Sequence, residues 1–109
     1  MTVFISGAVT GHDDYLERFA EAEQALLAKG YDVVNPAKVL TTLPHLHTNW
    51  QACMDITLFL LETCDAIYML PNWIDSKGAR VEYTKAHALG LMFITPDKIY
   101  EFKPTEEIK

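Results

Sequence analysis

The stretch DAIYMLPNWIDSKGARVEYTKAHALGLMFI, residues 65–94, decides the fold. Its first six residues are a short apolar run ended by Pro71, which reads as a strand. A loop follows from Asn72 to Ser76, and then a helix from about Lys77 to Leu89, stopped by Gly90. Leu91-Met92-Phe93-Ile94 is a second apolar run, ended by Thr95-Pro96. Strand, helix and strand in so short a stretch predict two parallel strands joined by a crossover helix.

The same alternation extends upstream. Val3-Phe4-Ile5 forms a continuous apolar run into Ser6-Gly7, as expected of a strand covered on both faces. Asp14 and Glu17 have capping-box spacing, and Leu16, Phe19, Ala22 and Leu26 then mark one helical face up to Lys29-Gly30. Tyr31-Asp32-Val33-Val34 is the next strand, stopped by Asn35-Pro36. Residues 37–47 are the least regular part and read as a loop, with room for one helical turn. Thr48 and Gln51 again have capping-box spacing, opening a helix to about Thr63 that is apolar on most sides. Such a helix is either central in the fold or part of a subunit interface; in so short a chain the interface is favoured, hence a homodimer or larger homo-oligomer. The order β-α-β-loop-α-β-α-β predicts an α/β fold. It is a flavodoxin- or Rossmann-like three-layer sandwich around a small parallel sheet of four to five strands. The 109 residues suit one domain, with 97–109 as a tail able to pack back on the sheet.

Composition narrows the partners. A net charge of -6 with no cluster of Lys and Arg argues against a nucleic-acid polymer. A small anion remains compatible, because helix N-termini and a few local cations can hold it. No apolar run reaches membrane-spanning length, and the N-terminus lacks the basic segment of a signal peptide. Cys53 and Cys64 have neither disulfide-framework nor metal-ligand spacing, so reduced thiols in a cytoplasmic protein are expected. No metal and no cofactor is expected.

In an open parallel sheet a ligand lies beyond the carboxyl ends of the strands. That rule selects three segments: Ser6 to Asp14, with Gly7 and Gly11, Asn35 to Pro36, and Asn72 to Glu82. Asp32 and Asp65 begin strands and fall on the opposite edge. The two glycines make either a flexible turn or a close backbone approach to a ligand; they match no dinucleotide fingerprint or phosphate loop. Ser76 caps the helix, and with Gly78 at the helix start it also suits an anion, with Lys77 and Arg80 as local cations. Trp73 either stacks on a base or packs as a core indole. Glu82 is either a solvated surface residue or, on a helix packed through Ala79, Val81, Ala86 and Leu89, a nucleophile or base beside the ligand.

Taken in order, ISGAVTG (5–11), GYDVVNP (30–36), CDAIYMLPNW (64–73) and SKGARVE (76–82) resemble domain-of-unknown-function family 4406, common in phages and prophages. That family resembles the nucleoside 2-deoxyribosyltransferase-like superfamily. The resemblance covers roughly residues 3–95. It implies cleavage of the N-glycosidic bond of a 2′-deoxynucleoside or its 5′-monophosphate, by hydrolysis or transfer. Glu82 matches the glutamate nucleophile, and Ser76, six residues earlier, matches the serine that holds a 5′-phosphate. Tyr15 is expected to orient the nucleophile, with Tyr83 a further candidate. Ser6, Gly7, Gly11, Asn72, Trp73, Asp75, Gly78 and Arg80 are expected to line the nucleotide. The superfamily also carries an aspartate eight residues before the one that begins the third strand. That position here is Thr57, and the nearest acid is Asp55, about 200° further round a helix. Asp55, Asp75 or a water is left to supply the proton. A non-catalytic module that binds or sequesters a nucleotide signal is the second expectation, and an interaction domain with a vestigial site the third.

Overall fold

The computed structural model describes residues 1–9 and 13–96, and the backbone of 99–101. Four parallel strands lie at its centre: β1 (Thr2–Ser6), β2 (Asp32–Val34), β3 (Ala66–Met69) and β4 (Met92–Ile94), with β5 (Ile99–Glu101) at one edge. The sheet order is β2-β1-β3-β4-β5. Residues Val3 to Ser6 pair in parallel with Ala66 to Met69, and Thr2 to Phe4 with Asp32 to Val34. The expected small parallel sheet is therefore present as four strands. The fifth differs: it runs antiparallel against β4, because the short connection after Ile94 allows the chain only to turn back.

Side chains of β1 alternate between two cores, as a strand's two-residue period requires. Val3 and Ile5 pack with Phe19, Ala22 and Leu26 of α1 (Tyr15–Ala28) and with Ala37 of α2 (Pro36–Leu40). Phe4 packs on the other face with Leu61 of α3 (Trp50–Glu62) and Ala86 of α4 (Lys77–Leu89). Helices thus cover both faces, which is the three-layer Rossmann-like arrangement expected. Among the described residues no helix is long and apolar enough to cross a membrane.

The local signals at helix ends held unevenly. Ser76 caps α4 by accepting from the Ala79 N–H at 3.1 Å, and Gly90 ends it at φ 73°, where only glycine is unstrained. At α1 the Asp14 carboxylate makes no cap; it accepts instead from Arg18 Nε at 2.8 Å, one turn along. At α3 the cap is Asn49, not Thr48, and it accepts from Ala52 N–H at 2.9 Å. Gln51 then turns away from the expected box and donates to Asp55 Oδ1 at 2.8 Å. The segment read as a loop is built from α2, capped by Asn35, and a short 3-10 turn at Pro44–Leu46.

Candidate functional site

Strand order reverses between β1 and β3, because β1 connects to β2 on one side while β3 lies on the other. The carboxyl ends of these strands open into a cleft of about 1260 Å³. Its floor carries Gly7, Thr57 and Glu82; α2 and the 3-10 turn form one wall, and the first turns of α3 and α4 the other. Gly7 permits this closeness. A Cβ there would lie 2.6 Å from Leu70 Cδ1 and 2.9 Å from Leu70 Cβ. Its role is thus a tight approach to Leu70 within the protein, beside the cleft that it lines.

Among the described residues Glu82 is the buried carboxyl of the cleft. It sits in the second turn of α4 and is only 7% exposed. Ser6, fully buried at the end of β1, donates its hydroxyl proton to Glu82 Oε1 at 2.6 Å. β1 alternation puts Ser6 on the same face as Phe4, which is the face α3 and α4 cover. Thr57 on α3 faces the same carboxyl. Its hydroxyl donates to the Met54 carbonyl at 3.3 Å. Burial pushes the Glu82 carboxyl from 4.5 up to about 7, even though hydrogen bonds from Ser6 and Thr57 pull it the other way. A group poised there changes charge near neutral pH, which suits a nucleophile or a base. The surface-glutamate alternative is thereby excluded for Glu82.

The start of α4 forms the second feature. Helix geometry leaves the N–H groups of Lys77 and Gly78 without an intrahelical acceptor, beside the capping Ser76 hydroxyl. Lys77 Nζ lies 4.4 Å from the ring centre of Trp50, and both residues line the cleft. Gly78 allows α3 close by, since a Cβ there would meet Met54 Sδ at 3.3 Å. Glu82 lies six positions beyond Ser76, about 9 Å along the helix axis.

The expected site residues divide into three groups. Gly7, Tyr15, Asp75, Ser76, Gly78 and Glu82 all line the cleft, and Ser6 lies directly behind Glu82. Asp55, Asn72, Trp73 and Arg80 do not line it. Asp55 is exposed on α3 and bonded to Gln51. Arg80 donates to the Ile74 carbonyl at 2.8 Å. Trp73 stacks on Tyr83 at 4.7 Å within the core beside α4, the packed-indole alternative. Asn72 accepts from Ala8 N–H at 3.4 Å, and its buried Nδ2 has no partner among the described residues. Gly11 lies outside the described residues. Asp65, assigned to the opposite edge, accepts from Thr2 N–H at 2.8 Å and ties two strand starts together.

Sequence reasoning missed Trp50 and His47, which also line the cleft, whereas Asp13 and Pro36 fall in the segments expected at the strand ends. Trp50 is 42% exposed, and an exposed indole just inside a helix start was the available signal. Among the described residues no group of three His, Cys, Asp or Glu side chains is placed to hold a metal. Burial pushes the Cys64 thiol up, away from the reactive thiolate.

No curated protein and no solved structure matches this chain significantly. Residues 1–95, which carry the four parallel strands and the whole of the cleft, match the family model described as Domain of unknown function (DUF4406), and the chain belongs to that family.

Proposed function

We propose that this protein cleaves the N-glycosidic bond of a 2′-deoxynucleoside 5′-monophosphate, with Glu82 as nucleophile. The observation that carries the reading is one buried carboxyl, hydrogen-bonded to Ser6 and brought to about 7, on the floor of a cleft at the switch point of the sheet. The start of α4, with the Ser76 hydroxyl and the Lys77 ammonium, suits the 5′-phosphate. The chain of O5′, C5′, C4′ and the ring oxygen then spans toward Glu82. Trp50 offers an exposed ring at the rim on which a base can stack.

The ionised Glu82 carboxylate attacks C1′. The C1′–N bond breaks, and its electron pair leaves with the base, which takes up one proton. Asp13, His47 and Asp75 line the cleft, and one of them is assigned to deliver that proton. Water, or the N–H of a second base, then attacks C1′, the bond from C1′ to the Glu82 oxygen breaks to regenerate the carboxylate, and the attacking group's proton returns to the group that protonated the leaving base. A sugar lacking its 2′-hydroxyl reaches the oxocarbenium-like transition state more readily, which favours deoxynucleotides. The test is a panel of nucleotides assayed for free base by chromatography. Release from deoxynucleoside monophosphates above the matching ribonucleotides and unphosphorylated nucleosides supports the assignment. Equal release from nucleosides removes the phosphate from it.

A second reading has its own observation. Asp55 points away from the cleft and Thr57 stands where the superfamily resemblance expects an acid, so Glu82 has no carboxyl partner among the described residues facing it. A protein that holds a nucleotide without turnover fits that arrangement. In either reading we propose that copies of the chain pair through the outer face of α3, where Phe59 is 66% exposed.

A further inference from the structure

Ser6 was expected at the ligand, yet its hydroxyl is turned fully inward and its one proton is given to Glu82 Oε1 at 2.6 Å. A hydroxyl buried in a strand of Val3, Phe4 and Ile5 is costly unless a strong acceptor satisfies it. Glutamate, for its part, has several rotatable bonds, and a buried carboxylate beside an open cleft gains by swinging out to water. We propose that Ser6, from β1, and Thr57, from α3, whose proton turns from the Met54 carbonyl to the charged carboxylate, form a two-hydroxyl clamp that holds the Glu82 carboxylate in one orientation. The proposal rests on Glu82 being the reacting group. Both hydroxyls are positioning residues in it, since neither needs to touch substrate.

The chemistry of the pair explains why hydroxyls stand there. A second carboxylate in the place of Thr57 would repel the charged form of Glu82 and hold it protonated. Two neutral donors instead favour the charged form and add no charge of their own. Asp13, Tyr15, His47, Cys53, Asp75 and Lys77 line the same cleft, and none of them is among the groups that move the ionisation of Glu82. On α3 itself, Asp55 is turned outward to Gln51. The two hydroxyls are thus the polar contacts that set the charge and direction of this carboxyl.

The test is an NMR titration of the Glu82 side-chain carboxyl in the intact, ligand-free chain. Ser6→Ala should raise its midpoint by about one pH unit or more, the size expected for losing a hydrogen bond to a charged group. Thr57→Val, which keeps the shape, should raise it less, and Thr57→Ser, which restores the hydroxyl, should leave it at the wild-type value. An unmoved midpoint in Ser6→Ala overturns the clamp. So does an equal shift in Thr57→Val and Thr57→Ser, which would be a packing effect; this pair decides the matter if Ser6→Ala does not fold. The readout needs no turnover. Shifted midpoints in a protein that releases no base keep the hydroxyl contacts and sink the enzymatic reading, whereas base release with unshifted midpoints sinks the clamp alone.

Discussion

Replacing Glu82 by Gln should make the protein more stable, and only above mildly acidic pH. The Glu82 carboxyl titrates at about 7 in the fold and at 4.5 in a free chain, chiefly because burial penalises its charge. Below 4.5 both states hold the proton and the penalty is absent. As pH rises from there, the unfolded chain releases a proton that the folded chain keeps, so stability falls. The loss is complete above about 7, and at 1.36 kcal/mol per pKa unit it amounts to about 3 kcal/mol. Glutamine keeps the shape and can still accept from Ser6 through its amide oxygen, but it carries no charge to bury. Urea unfolding of both proteins across pH separates this group from every other carboxyl, because the rest titrate alike in the two. The expected difference is near zero at about pH 4 and grows to about 3 kcal/mol in favour of the variant at about pH 8. A difference that stays flat with pH, or that grows against the variant, would refute the assignment of a buried, charge-penalised carboxyl.

Ser76→Ala should cost about 1 kcal/mol through the lost cap on Ala79 N–H, and it should weaken a 5′-monophosphate more than the matching nucleoside in calorimetric titration. Unchanged monophosphate affinity would remove Ser76 from the phosphate site. Gly7→Ala should destabilise by about 1–3 kcal/mol, because its Cβ meets Leu70 Cβ, which cannot swing aside, at 2.9 Å. An unshifted urea midpoint would show that the approach is not tight. Phe59→Glu should convert the assembly to monomers in light scattering; a wild-type protein already monomeric at micromolar concentration would contradict pairing through α3.

The parts of this structure that were legible in the sequence are those fixed by local chemistry. Apolar runs cut by Pro71, Pro36 and Gly90 mark β3, β2 and the end of α4 because those residues cannot continue their elements. Ser76 likewise announces its helix. The rule that ligands gather beyond strand ends then separated Ser76 and Glu82 from Asp65. What the sequence hid depends on contacts far along the chain. The Ser6–Glu82 bond joins residues 76 positions apart, and only the pairing of β1 with β3 and the packing of α4 bring them together. Trp73 reads as well for a ligand ring as for a core ring until Tyr83 is seen stacked on it. The wall built by α2 and the 3-10 turn has too few residues for a periodic signal. Asp14 and Thr48 carried capping spacing, but Arg18 and Asn49 offered nearer partners or a better cap.

The account stands or falls on free base released from a deoxynucleoside monophosphate by the wild-type protein and by Glu82→Gln, compared at equal, independently measured nucleotide occupancy. Release by wild type, rising with pH through about 7 as Glu82 ionises, and near-complete loss in a variant that still binds, is the predicted result. No release by wild type from any deoxynucleotide that it binds would contradict the enzymatic claim and leave the protein a nucleotide-holding module; comparable release by Glu82→Gln would move the chemistry to another residue.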